Sequence, residues 1–89
     1  MASARTVQLV YLARLRERFG KSGESYELPE HVNSVAALMR ELASRGDAWA
    51  HELAPGRAFR VAVNHAVAHP DTPVAPGDEV AIFPPVTGG

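Results

Sequence analysis

The chain closes on "FPPVTGG", Phe83 to Gly89, and the chemistry open to that stretch is the chemistry of its final carboxylate. Pro84 and Pro85 hold the backbone near polyproline II, so Pro84 to Gly89 projects on the order of 20 Å at about 3.1 Å per residue. Val86 and Thr87 are slim, β-branched residues that favour an extended form. Gly88 and Gly89 carry no Cβ and let another backbone approach closely. Pre-set φ angles reduce the ordering entropy lost when such a probe enters a partner's groove. A terminal carboxylate, with a pKa of about 3.5, is ionised at neutral pH and its carbon is a poor electrophile. A mixed anhydride with adenylate supplies a leaving group, after which a sulfur or nitrogen nucleophile can attack. The alternative reading of Gly-Gly is a frayed end without chemistry.

The rest of the sequence offers little competing chemistry. It contains no cysteine, which rules out disulfides, thiolate nucleophiles and cysteine-ligated metals; any sulfur it handles rides on something else. No GxxxxGK[S/T] loop occurs, so activation with ATP is expected to come from another protein. His31, His51, His65 and His69 lack metal-ligand spacing on a helix, and "HAVAH" falls in a strand or loop before Pro70, so no metal is expected. The serines have no nucleophile-elbow setting. No autonomous catalytic site is visible, and no bound cofactor is expected.

The elements that must position the tail follow from length and pattern. Eighty-nine residues with 46% hydrophobic and 21% charged content suit one globular core, because half that length could not bury one. The predicted organisation is a single domain over 1–83 and an extended, flexible tail over 84–89. The formal charge of −1 gives no long-range attraction to nucleic acid. "MASARTVQLVY" lacks a signal core, and no stretch reaches membrane-spanning length, which predicts a cytoplasmic protein with no membrane partner.

"TVQLVYLA" alternates, with Val7, Leu9 and Tyr11 on one face and Gln8, Val10 and Leu12 on the other, as a strand does. "RLRERFGK" is the densest basic stretch and reads as a solvated surface segment or a docking site for an acidic patch. "GKSG" is a turn and "ESYELP" a second strand that pairs back on the first. Val35, Leu38, Met39 and Leu42 fall at i, i+3, i+4 and i+7, predicting a helix capped by Ser34 or Asn33 and ended near Gly46. "DAWAHEL" is a short helix or a loop that tucks Trp49 against the sheet. "PGRAFRVAVN" and "VAPGDEVAIFPP" supply two more strands, the second with a buried apolar run from Val80 to Phe83 that Pro84 and Pro85 end. One main helix across one face of a small mixed sheet, with the last strand parallel to the first, is an α+β layout of the β-grasp kind.

"VNHAVAHPDTPVAPGDEVAIFPPVTGG", with "VQLVYLARLRERFG", "LPEHVNSVAALMREL" and "DAWAHEL" at matching intervals, resembles the small subunits of molybdopterin synthase, the MoaD-type sulfur carriers. The resemblance implies a ubiquitin-like β-grasp fold and a subunit that is non-catalytic on its own. It further implies that a ubiquitin-activating-like adenylyltransferase uses ATP to adenylylate Gly89 and that a persulfide donor then converts it to a thiocarboxylate. The sulfur passes, inside the large catalytic subunit, to cyclic pyranopterin monophosphate, and two rounds build the molybdopterin dithiolene. Gly88 is implied in passage through a narrow channel, and two small and two large subunits in a heterotetramer. Leu12, Val67 and Phe83 match an apolar docking patch, continued by Pro84, Pro85, Val86 and Thr87; each of the first three also reads as core. A ubiquitin-like modifier conjugated through Gly89, and a carrier for thiamine or cysteine synthesis, are the alternatives, although "FPPVTGG" does not resemble the thiamine carriers.

Overall fold

The structure, a computed structural model, describes residues 5–85. Alternation in the first strand, β1 (Thr6–Tyr11), buries Val7, Leu9 and Tyr11, and Gly20 in the left-handed region turns the chain back toward β2 (Gly23–Glu27). The two strands are antiparallel, Leu9 opposite Glu24 and Val10 opposite Gly23. A Cβ at Gly23 would run into the backbone carbonyl of Leu9, so this pairing needs glycine there.

Between these strands the structure corrects the expectation for "RLRERFGK". Arg14–Phe19 form a helix, α1, whose Leu15 and Phe19 are buried. The next helix, α2 (Val35–Ala43), is the predicted one. Ser34 caps it by accepting a hydrogen bond from the Ala37 amide, and Val35, Leu38, Met39 and Leu42 are all buried. Gly46 has φ of 84° and admits a third helix, α3 (Asp47–Glu52), so "DAWAHEL" is helical. Strand β3 (Arg60–Val63) then turns through Asn64 and His65, both with positive φ, into β4 (Ala66–Val67). This two-residue hairpin turn makes Ala66–Val67, within "HAVAH", a strand. The last strand is β5 (Glu79–Phe83).

The sheet order is β2-β1-β5-β3-β4, with β5 parallel to β1 and antiparallel to β3. All three helices lie on one side, and the core between them and the sheet contains Leu9, Leu15, Leu38, Leu42, Val80 and Ile82. Burying each leucine contributes about 1.5–3 kcal/mol. The run Val80 to Phe83 is buried on one side only: Val80 and Ile82 enter the core, while Ala81 and Phe83 are half-buried on the other face.

Two polar networks tie the helices down. Glu52, only 3% exposed, is ringed by Arg18 (Nε to Oε2, 3.0 Å), Arg57 (3.4 Å) and Arg14 (3.5 Å). Burial pushes its pKa up, but the hydrogen bond from Arg57 and the charges of Arg14 and Arg57, with Arg18, outweigh that and hold the carboxyl below its ordinary range. Two arginines expected to be solvated thus compensate a buried charge. In the second network Arg45 donates to both Glu24 oxygens (2.8 and 3.2 Å), Tyr11 donates to Glu24 at 2.6 Å, and the guanidinium lies 4.4 Å from the Trp49 ring centroid.

The Arg45 hydrogen bonds, against an opposing burial effect, lower the Glu24 pKa from 4.5 to about 2. A depressed folded-state pKa stabilises the fold above the unfolded value, and that stability is lost as pH falls from about 4.5 toward 2. The resistance of the native chain to urea unfolding is therefore expected to fall between about pH 5 and about pH 2.5, with Glu24 contributing part of the fall. In Glu24→Gln the slope is expected to be shallower, with lower stability at pH 7; an unchanged slope would contradict the Arg45 pairing.

Candidate functional site

The face of the sheet away from the helices is uncovered among the described residues, and its pattern follows from strand register. One row runs across all five strands: Gly23, Val10, Ala81, Ala62 and Val67. It carries no charge. The small side chains of Ala81 and Ala62 make a shallow floor, and Val67 at its end is 68% exposed. Toward the C-terminal end of β5 the adjoining row holds Phe83 opposite Arg60. Leu12, 43% exposed, lies beside them, its amide donating to the Ile82 carbonyl at 3.1 Å. On the opposite flank the row is polar. Asn64 bonds Asp78 and the Glu79 amide, Gln8 accepts from Ser25 at 3.3 Å, and His65 approaches Glu79 at 3.9 Å.

Leu12 owes its position to the residue after it. Ala13 has φ of 53° and ψ of −129°, a conformation that costs an alanine about 1–3 kcal/mol and persists only where surrounding structure holds it. The buried Leu15 and Phe19 of α1 supply that hold. The bend takes the chain off the sheet just after Leu12 and leaves that side chain on the open face.

Of the residues singled out from sequence, Leu12, Val67 and Phe83 thus fall on one face, and Phe83 leads directly into Pro84 and Pro85, which are half-buried. Val86, Thr87, Gly88 and Gly89 lie outside the described residues. Sequence reasoning passed over Val10, Ala62 and Ala81 as members of the patch and Arg60 as its charged border. Their signal was parity: Val10 shares a strand face with Leu12, Ala81 with Phe83, and Ala62 with Arg60. Alkyl and aromatic groups with one guanidinium at the edge can dock a partner but cannot move a proton or attack a carbonyl. Among the described residues no cluster of three histidine, cysteine or acidic side chains could hold a metal, and no helix is long and apolar enough to cross a membrane.

A family model described as the ThiS family matches residues 9–89, which takes in the open face and the tail together. The chain belongs to the ThiS family. Within it, the chain is 37% identical over 83 residues to the molybdopterin synthase sulfur carrier subunit of Escherichia coli, covering 93% of this chain and 99% of that one. Crystallised small archaeal modifier protein 1 of Haloferax volcanii is 27% identical, with a TM-score of 0.65 over 94% of this chain and 100% of that one. Subunit 1 or 2 in the complex of the Helicobacter pylori molybdopterin-converting factor aligns with a TM-score of 0.62 over 94% of this chain and 99% of that one. At 19% identity that last match speaks for the fold, a ubiquitin-like β-grasp. In this ThiS-family chain the strand that ends in the tail is the central one of five, so the open face and the tail's root are rigidly joined.

Proposed function

We propose that this chain is the sulfur-carrying small subunit of a molybdopterin synthase and that Gly89 bears the sulfur. The observation that carries the reading is the match to the E. coli sulfur carrier subunit over 99% of its length; an uncharged docking row beside the tail's root supports it. The Gly89 carboxylate attacks the α-phosphorus of ATP on an adenylyltransferase, with pyrophosphate leaving. A persulfide sulfur attacks the resulting acyl adenylate, AMP leaves, and a thiol reduces the acyl disulfide to the thiocarboxylate. In the large subunit that sulfur attacks a side-chain carbon of cyclic pyranopterin monophosphate, and the carbon–oxygen bond there breaks with the oxygen leaving. Water hydrolyses the resulting thioester, so that the sulfur stays on the pterin and the Gly89 carboxylate is released. Two such deliveries form the dithiolene, and the assembly is two small and two large subunits. The chain itself binds, presents and is consumed and renewed; it holds no cofactor, and ATP serves the activating enzyme.

Reconstitution tests this reading. The chain is combined with adenylyltransferase, ATP, a persulfide donor and the large subunit, and dithiolene formation is followed. Product that depends on every component supports the reading, and product formed without this chain would sink it. The similarity to a small archaeal modifier protein favours a second reading, conjugation through Gly89 to lysines, which predicts isopeptide adducts instead.

Phe83 is the expected anchor of the docking row, being the large aromatic nearest the tail. Phe83→Ala is expected to weaken large-subunit binding by roughly 30-fold, about 2 kcal/mol. Because Phe83 is outside the core cluster, its thermal midpoint is expected to move little. Calorimetric titration and a thermal melt read the two effects separately; a large melt shift with unchanged affinity would return Phe83 to a packing role.

A further inference from the structure

Beside the tail's root lies a groove of about 960 Å³ between α2, the 54–59 loop and β3. Its walls are apolar, with Met39, Phe59, Val61 and Ala68 among them, and its rim carries Arg40, Arg57, Arg60 and His69, with no acidic residue in the lining. Arg57 is engaged by the buried Glu52. Arg40 and Arg60 are exposed and have no acidic partner among the described residues. The rim therefore has a surplus of positive charge over an apolar floor, on a chain whose formal net charge is −1.

Arg60 links this groove to the open face. It lines the groove, yet by register it pairs with Phe83 and shares its strand face with Ala62. Arg60 stands opposite Phe83, where the described chain runs into Pro84 and Pro85, so a protein docked on Phe83 meets Arg60 at the edge of the groove. We propose that Arg60, opposite Phe83, and Arg40, on the α2 side of the same groove, form a cationic rim that pairs with carboxylates on the large subunit. A segment there carrying Asp or Glu next to an apolar side chain would seat the apolar group in the groove. The inference rests on the sulfur-carrier reading above and deepens it by giving the docking face a charge preference.

Such a contact acts in two ways. Positive charge at the rim steers an acidic mouth toward the tail and disfavours basic partners. Arginine also presents a planar fork suited to carboxylates, which a lysine would not reproduce. Met39, unbranched and adaptable, is a suitable wall for an incoming apolar side chain.

The test titrates the large subunit into the native chain, Arg60→Glu, Arg40→Glu, and Arg16→Glu as a control on α1, at about 50 and about 300 mM salt. Both arginines are exposed, so circular dichroism is expected to report an intact fold for every variant. Arg60→Glu is expected to lower affinity by about tenfold or more and Arg40→Glu by about threefold, with Arg16→Glu within about twofold. The native affinity is expected to fall with salt more than that of Arg60→Glu. The NMR methyl signals of Met39 and Ala68 are expected to shift when the large subunit binds.

Affinities of Arg60→Glu and Arg40→Glu equal to native, or unmoved Met39 and Ala68 methyls, would overturn the rim pairing while leaving the sulfur-carrier reading intact. A loss seen only against the adenylyltransferase would overturn the choice of the large subunit as the occupant. A native chain that does not bind the large subunit at all would overturn both readings.

Discussion

Deleting Gly89 is expected to reduce sulfur transfer to below about 1% of the full-length chain, since misplacing a reacting group by 1 Å can already cost about a hundredfold. Removing one residue withdraws the terminal carboxylate by about 3.3 Å. Leu12, Val67 and Phe83 on the open face are untouched by that change. Affinity for the large subunit is therefore expected to fall far less than turnover. This split separates a tail that delivers an atom from one that only adds binding area. Reconstituted dithiolene formation and calorimetry on the same preparation measure it; proportionate losses in both would count against Gly89 as the reacting residue.

Phe19→Ala is expected to cost about 3 kcal/mol of unfolding free energy, the lower end for truncating a buried phenylalanine. Phe19 is 8% exposed, stacked on Trp49 with centroids 3.8 Å apart and planes 7° apart, and edge-on to Tyr11 at 5.0 Å. Its loss opens a cavity and removes two aromatic contacts. For a domain of this size total stability is about 4–13 kcal/mol, so the melting midpoint is expected to drop by roughly 12–20 °C. Phe19→Leu keeps much of the volume and is expected to lose about half as much. Because α1 also holds the bend at Ala13, the alanine variant is expected to loosen Leu12 on the docking face as well. A Phe19→Ala melt within a few degrees of native would show that α1 is not an anchor.

The expectation for α1 failed for a physical reason. Six residues with three arginines offer only two apolar side chains, Leu15 and Phe19, and such charge density reads as solvent-facing. What holds the segment as a helix on the core is Trp49, stacked on Phe19, and Glu52, 34 positions along the chain from Arg18. The helix α2 was legible because four apolar residues at helical spacing and a serine cap lie within one short stretch. Strand β4 was not, being two residues long after a turn without glycine.

The uncharged open-face patch was half legible. Leu12, Val67 and Phe83 came from family resemblance, and strand parity alone would have added Val10, Ala62 and Ala81. The arginine rim could not be read from sequence, because Arg40, Arg57 and Arg60 stand on separate elements that only the β3–β5 register and the α2 packing bring to one groove. The tail is the reverse case: the chemistry proposed for it rests on residue types and order alone.

Whether Gly89 carries sulfur is read by the intact mass of the chain isolated from its own cells, with and without the gene for the large subunit. A form heavier by one exchange of oxygen for sulfur, mapped to Gly89, is expected to accumulate when the large subunit is missing. Only free carboxylate under both conditions, accompanied by isopeptide adducts of Gly89 on other proteins, would contradict that expectation and make the chain a modifier.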